Sequence, residues 1–474
     1  MPVVTPWTRR DFLRITTALG AAAALGACAS ESDSPTEGGT AAAGQAPKEV
    51  FTEPATKLSG SLTLLVWSHF VPSHDKWFDK FAASWGKRVG VDVRVDHVDV
   101  GNVPTQIASE LQAGQGHDLM QYIATLSQFE PSVLDLADIN DEATKRHGEQ
   151  LKICTDSSYN PHTDKFYAFA PGWVPDPGNY RKSLWEPAGF PDGPTSWNDL
   201  LEAGTEIKKS QDVQLGLGMS QEIDSNMAAH ALLWSHGASI QDENESVVLN
   251  SPQTLEAVDL MRRLYEGAMT DEVFAWNAAS NNEGLISGEL SYILNSISAY
   301  RSSQDVNPEV ASDTFFVKAL EGSQPGLAAQ HVMYNYIVPT KARNPDAAKE
   351  FLLHLADNFA LATYHSKLYD FPSWPTLAPK LGNWLADDPF GSKPSDKLAF
   401  LGDVEKAAEW STSIGHPGPS SPAIGEILGT YVIPNMFARA VRGNMTPEAS
   451  VQRAHRECER IFANWRGRGL IGGG

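Results

Sequence analysis

Between Ser61 and Tyr122 the apolar residues change period four times, and this alternation limits the chain to very few architectures. Ser61-Leu62-Thr63-Leu64-Leu65-Val66-Trp67 is a β-branched and aliphatic run that ends at Ser68-His69 and reads as a strand. From Asp75 to Trp85, Trp77, Phe78, Phe81 and Trp85 share one helical face. Val91 to Val98 alternates as a second strand. Thr105 to Ala113 places Ile107, Ala108 and Leu111 on one face of a second helix, and Asp118 to Tyr122 is a short third strand. Strands separated by helical crossovers imply an α/β fold with a mainly parallel sheet. Ligands of such sheets sit beyond the carboxyl ends of the strands, which here are Trp67–His69, Asp99–Asn102 and Tyr122–Thr125.

The first 28 residues have a different character. Thr8-Arg9-Arg10-Asp11-Phe12-Leu13-Arg14 is charged, Ile15 to Ala27 is uncharged and Ala-rich, and the run stops at Leu25-Gly26-Ala27-Cys28. This is the layout of a secretion signal, too short to span a bilayer stably. The paired arginines resemble a twin-arginine export signal. The last four residues resemble a lipobox, in which Cys28 takes the lipid. A protein held by acyl chains works at an extracytoplasmic membrane surface. Residues 29–57 are rich in Ser, Thr, Gly, Ala, Pro and Glu and are expected to be a flexible tether.

Removing residues 1–27 leaves 447 of 474, too many for one compact core, so two or three lobes are expected. The formal charge is −21, and the removed segment carries +2 net, which leaves about −23. Such a surface repels nucleic acid and anionic lipid. Besides Cys28 there are only Cys154 and Cys458; a chain exported after folding in a reducing compartment would carry them as buried thiols. No P-loop, nucleophile elbow or His-Glu-x-x-His motif is present. Gly216-Leu217-Gly218 lacks the third glycine of a dinucleotide loop, and His455-Arg456-Glu457-Cys458 has no partner pair for zinc. No cofactor or metal is expected.

A series of short motifs then adds up. Trp67-Ser68 ends the first strand, Gly116-His117-Asp118 precedes the third, and Leu134-Asp135-Leu136 makes a turn. Asp164 to Pro171, Asn179 to Trp185, Pro194-Thr195-Ser196-Trp197-Asn198-Asp199-Leu200, Ser287 to Ile293, and Ile337 to Leu352 follow in order. Together they resemble the family 1 extracellular solute-binding proteins of ABC importers, the maltose-binding-protein group. The chain departs from the pattern at Asn179-Tyr180, at Leu290-Ser291-Tyr292 and across Ala328 to Tyr336. The resemblance implies a two-lobe, type II binding-protein fold with three crossings, near Phe169–Trp173, Ala328–Tyr334 and Phe371–Leu377. Lobe one would hold 58–170 and 335–372, and lobe two 174–328 and 378–474. It implies a monomer that captures a mono- or oligosaccharide and delivers it to an ABC permease, with no enzymatic activity. A phosphodiester such as glycerophosphocholine is the other ligand class open to this fold. A glycan-degrading enzyme would need a facing carboxylate pair that no spacing singles out.

Thirteen tryptophans supply the chemistry for sugar, since a flat ring takes the C–H face of a pyranose while polar side chains fork to its hydroxyls. Aromatic candidates are Trp67, Tyr122, Trp173, Trp234, Trp276, Tyr334 and Trp374. Polar candidates are Ser68, His69, Asn102, Asp118, Asn179, Asn281, Asn282, Asn295, Asn335 and His416. Asp118 has a second reading as the anchor of its own turn, and loop asparagines also serve as turn residues.

Overall fold

The computed structural model describes residues 45–329 and 332–473; the export motif and Cys28 lie outside the described residues. The first sheet is built as the alternation predicts. β1 (Ser61–Trp67) lies between β2 (Asp92–Val98) and β3 (Leu119–Tyr122), parallel to both. Six consecutive residues of β1 are buried, as expected of a central parallel strand covered on both faces. α1 (Pro72–Val89) connects β1 to β2 and buries Phe78, Phe81, Ala82 and Trp85. Proline in its first turn and left-handed Gly90 at its end mark its limits. α2 (Val103–Ala113) connects β2 to β3 and also ends on a left-handed glycine, Gly114.

After β3 the chain leaves this sheet. β4 (Gly172–Trp173) is followed by β5 (Gly178–Arg181), α3 (Trp197–Gln211), β6 (Gln214–Gly216), α4 (Ile223–Ser235), α5 (Ser280–Ser287), β7 (Leu290–Leu294) and β8 (Thr314–Val317). The second sheet has the order β8-β5-β7-β6, with β5 antiparallel to both neighbours and β6 parallel to β7. The Pro194–Leu200 motif is the start of α3: Ser196 and Asp199 cap each other's backbone N–H, while Trp197 is buried. The chain then returns to the first sheet as β9 (Asn335–Ile337), antiparallel to β3, with Asn335 opposite Tyr122. Among the described residues no strand is shared between the two sheets, and each builds its own lobe.

Three passages of chain meet where the lobes join. β10 (Phe371–Pro372) pairs antiparallel with β4, and Trp173 bridges to Met333. Val174 N–H donates to Val332 O and Tyr334 N–H to Gly172 O, both at 3.0 Å. Gly172 has no substitute here, because a Cβ would run into the ring of Phe359. The tail closes with α6 (Pro422–Gly429), α7 (Val432–Val441) and α8 (Pro447–Gly467). The apolar run from Ser421 to Ala440 is split before Tyr431. Pro434 falls in the first turn of α7, where a missing N–H costs nothing.

Residues 50–55, which fall within the expected tether, are held to the folded body. Val50 and Asn358 exchange two hydrogen bonds of 2.7 and 2.8 Å, and Ala55 N–H donates to Glu350. Phe51 lies edge-on to His354 and under the Arg88 guanidinium. One aromatic ring and one reciprocal amide pair hold the segment, which the average composition of residues 29–57 conceals. Cys154 and Cys458 are both free and buried. Burial pushes the Cys154 thiol up to about 12 and raises Cys458 as well. A thiol reagent such as DTNB should therefore find both thiols silent in the native protein and reactive once denaturant unfolds it; fast labelling of either under native conditions would contradict their placement.

Candidate functional site

A cleft of about 300 Å³ opens beyond the carboxyl ends of β1, β2 and β3. Phe70, Asp99, Val100, Gly101 and Tyr122 form its wall on the side of the first sheet. Gln221, Glu222, Ile223, the loop Trp276–Ala279 and Tyr431 face them from the other lobe. Hollows of comparable size beside Tyr300 and beside Trp197 receive no residue of the first sheet or its loops.

Each side chain on the far wall has a local cause. Glu222 is the N-cap of α4: its carboxylate accepts from Asp224 N–H and Ser225 N–H, both at 2.6 Å, and from the Ser225 hydroxyl. Burial, then the neighbouring Asp224, raise its proton affinity well above the ordinary carboxylate range against the pull of these donors. Ser220 donates to Trp276 O at 2.6 Å, which ties the Trp276 loop to the start of α4. The Trp276 ring packs on Leu285, Leu290, Ile293 and Ala299 and stays half-buried at the cleft. Tyr431 sits between α6 and α7 with φ +56°, a left-handed backbone that costs a tyrosine about 1 kcal/mol. Tyr122, Tyr431 and Glu222 are close enough to influence one another's ionisation across the cleft.

The candidates read from sequence divide by position. Tyr122 and Trp276 are on the cleft wall, and Ser68 and Asn102 are exposed on the loops that frame it. Trp67 lies one layer back, 2% exposed, with Phe70 packed against it at 5.0 Å between ring centroids and facing the cleft in its place. Trp173 and Trp374 are completely buried at the junction of the lobes, against Phe371 and Phe169. Trp234 is buried on α4 with His416 edge-on to it. Asn179 donates to Pro177 O, Asn295 O and Ser296 O, holding β5 against the end of β7. Asn281 accepts from Asn282 N–H, and Asn282 bridges Asn295 and Ser298 in a buried chain. Asn335 donates to Ala124 O. These five asparagines complete backbone and side-chain hydrogen bonds inside the fold.

His69 and Tyr334 belong to a buried cluster behind the cleft. His69 Nε2 reaches Tyr334 Oη at 3.0 Å and Asp370 Oδ1 at 3.2 Å, and Tyr334 Oη donates to the same carboxylate oxygen. Among the described residues, His69, His74 and Asp370 alone bring three potential metal ligands together, within 4.8 Å. They do not fit a metal. Val71 N–H donates to His69 Nδ1 at 2.8 Å, so the imidazole proton is on Nε2 and no lone pair points at Asp370. Burial, then His69, lower the proton affinity of His74.

Asp118 is at the opposite end of β3 from the cleft. It accepts from Thr63 N–H and Oγ1–H at 3.0 and 2.8 Å and from Arg343 N–H at 2.7 Å. It anchors β1 to the turn that follows β9, the second of its two readings. Burial acts to raise its pKa, but the bonds from Thr63 and Arg343 outweigh it and hold the carboxyl below the ordinary value. Asp118→Ala should cost about 3 kcal/mol in urea unfolding at neutral pH. A group with a lowered folded pKa stabilises above its unfolded pKa, about 4, and loses that contribution as pH falls through the folded value. The difference between wild type and variant should therefore shrink below about pH 4; a constant difference would show that the charge plays no part.

Phe70, Asp99, Glu222 and Tyr431 were not among the candidates. Phe70 follows the flagged Trp67–His69 strand end directly, and Asp99 opens the flagged Asp99–Asn102 edge. Glu222 and Tyr431 lack a comparable signal, because helices distant in sequence bring them to the cleft.

The model of the family described as bacterial extracellular solute-binding protein matches residues 71–361, more than half the chain. The maltose-bound MalE3 of T. maritima superposes with a TM-score of 0.69 at 16% identity, covering 85% of this chain and 100% of its own. A sugar transporter from Arthrobacter chlorophenolicus A6 with bound laminaribiose superposes at 0.70 and 14% identity, covering 85% of this chain and 99% of its own. A binding protein of Brucella abortus (strain 2308) is 28% identical over 92 residues, which is 19% of this chain and 22% of that protein's length. At these identities the solved structures show the fold, a two-lobe periplasmic-binding-protein architecture. The motif series, the two sheets joined by three passages and the matched family model lead to one statement: the chain belongs to the bacterial extracellular solute-binding protein family.

Proposed function

We propose that this chain is the substrate-binding component of an ABC importer and that it captures a mono- or oligosaccharide in the cleft between its lobes. The observation that carries the reading is the cleft wall itself. Phe70, Tyr122, Trp276 and Tyr431 offer ring faces, and Asp99, Gln221, Glu222 and Asn277 offer hydrogen-bonding groups around them. That is the pairing a pyranose needs. Phosphodiesters find no basic side chain among the described residues of this wall. The maltose and laminaribiose held by the two similar structures agree in ligand class.

In this mechanism the ligand contacts both walls at once, and each contact made only in the closed form shifts the population of the two-lobe chain toward closure. The three passages at Gly172–Trp173, Val332–Tyr334 and Phe371–Pro372 are the hinge. The closed form docks on a permease whose other subunits hydrolyse ATP. Lipid on Cys28 keeps the monomeric protein at the outer face of the membrane.

Titrating a panel of neutral mono- and oligosaccharides by calorimetry and tryptophan emission should identify a ligand, and Trp276→Ala should then weaken it tenfold or more, on the order of 1.5–3 kcal/mol. Silence across a broad panel would remove sugar as the ligand. Cys28→Ser should move the protein from the membrane fraction to the soluble fraction, and an unlipidated mature N-terminus by mass spectrometry would count against the anchor.

A further inference from the structure

We infer that Glu222 makes the cleft a charge filter: its carboxylate fills the helix N-terminus that opens on the cleft, so anionic solutes are excluded and uncharged ones admitted. The inference deepens the sugar-binding reading and rests on it for the identity of the admitted ligand.

A helix N-terminus beside a ligand cleft is ordinarily a ready anion site, because its first N–H groups lack intrahelical acceptors and the helix dipole favours negative charge. At α4 those donors are already used. Asp224 N–H and Ser225 N–H both end on Glu222, as does the Ser225 hydroxyl. Glu222 is 7% exposed, so the cap is enclosed and no phosphate can share it.

Two other loops that enter helices at the cleft each turn one backbone N–H onto a side chain of their own. Gly101 N–H, just before α2, donates to Asp99 Oδ1 at 3.0 Å. Ala279 N–H, just before α5, donates to Asn277 Oδ1 at 2.8 Å. α2 also has proline in its first turn, which removes one further donor. These four backbone donors thus end on oxygens of this chain, three of which belong to the carboxylates of Glu222 and Asp99. The described cleft lining contains no Lys, Arg or His to compensate. A phosphate or carboxylate brought here would lose its water, meet the Asp99 carboxylate, and find the α4 donors Asp224 N–H and Ser225 N–H already taken by Glu222.

The test uses the full chain purified in detergent, with calorimetry and tryptophan emission as readouts. A neutral sugar that binds is compared with the same sugar carrying a phosphate. The phosphorylated form should bind wild type at least about 100-fold more weakly, which is the scale of a few kcal/mol. Inorganic phosphate at millimolar concentration is then titrated into wild type, Glu222→Ala and Glu222→Gln. Glu222→Ala frees two N–H groups and should gain at least about tenfold in phosphate affinity over wild type. Glu222→Gln keeps an oxygen for one of those N–H groups and should gain less. Wild type that binds the phosphorylated sugar as tightly as the neutral one overturns the filter, and so does Glu222→Ala with no gain for phosphate. The wild-type comparison stands even if Glu222→Ala fails to fold. If no sugar of either kind binds but Glu222→Ala takes up phosphate, the sugar reading falls and the filter remains.

Discussion

The structure depends most on the hydrogen-bonded junction where three separate passages of chain lie side by side. Gly172–Trp173 pairs with Phe371–Pro372, and Met333 bridges to Trp173. Around them Trp173, Trp374, Phe371 and Phe169 are buried without exposure. Beside them the Asp370 carboxylate is wholly enclosed and accepts from His69 and Tyr334. An enclosed carboxylate is tolerated only when donors surround it, and its donors come from the end of β1 and from the second passage. The same bonds therefore stabilise the enclosed carboxylate and tie the end of β1 to two of the three passages.

From that junction the cleft follows geometrically. β1, β2 and β3 are parallel, so their carboxyl ends and the loops after them gather on one edge. Phe70, Asp99 and Tyr122 are carried there by three different strands. On the opposite wall a helix cap, a loop held by Ser220 and a strained residue between two helices perform the same service. Glu222 both starts its helix and faces the cleft. One side chain thus links local helix stability to the electrostatic character of the binding surface.

The sequence disclosed the strands and helices of the first lobe closely, because period 2 and period 3.6 are visible in a short window. In α8 the same period operates: Thr446 caps it, Pro447 opens it, and Val451, Ala454, Cys458 and Ile461 are all buried. The cleft was harder to read. Trp67, Trp173, Trp234 and Trp374 have the residue type of sugar platforms, yet they pack inside, since an indole is equally suited to filling a core. Trp276 and Tyr122 differ from them only in which way the surrounding backbone turns them. Asp118 looked like a ligand for its position beside a strand, but it sits at the amino end of β3, and the ligand edge is at the other end.

By itself the sequence determined the fold class, the family, the direction of the first sheet and therefore the edge on which a cleft could form. These are consequences of local periodicity and of motif order, which survive without knowledge of distant contacts. Tertiary structure alone decided that Phe70 stands in front of Trp67, that Tyr431 meets Tyr122 across 309 positions of chain (431 less 122), and that Glu222 plugs its own helix where it faces the cleft. The physical reason is that a binding surface consists of whatever side chains remain uncovered once the core is packed, and which ones those are depends on neighbours that no local window of sequence contains.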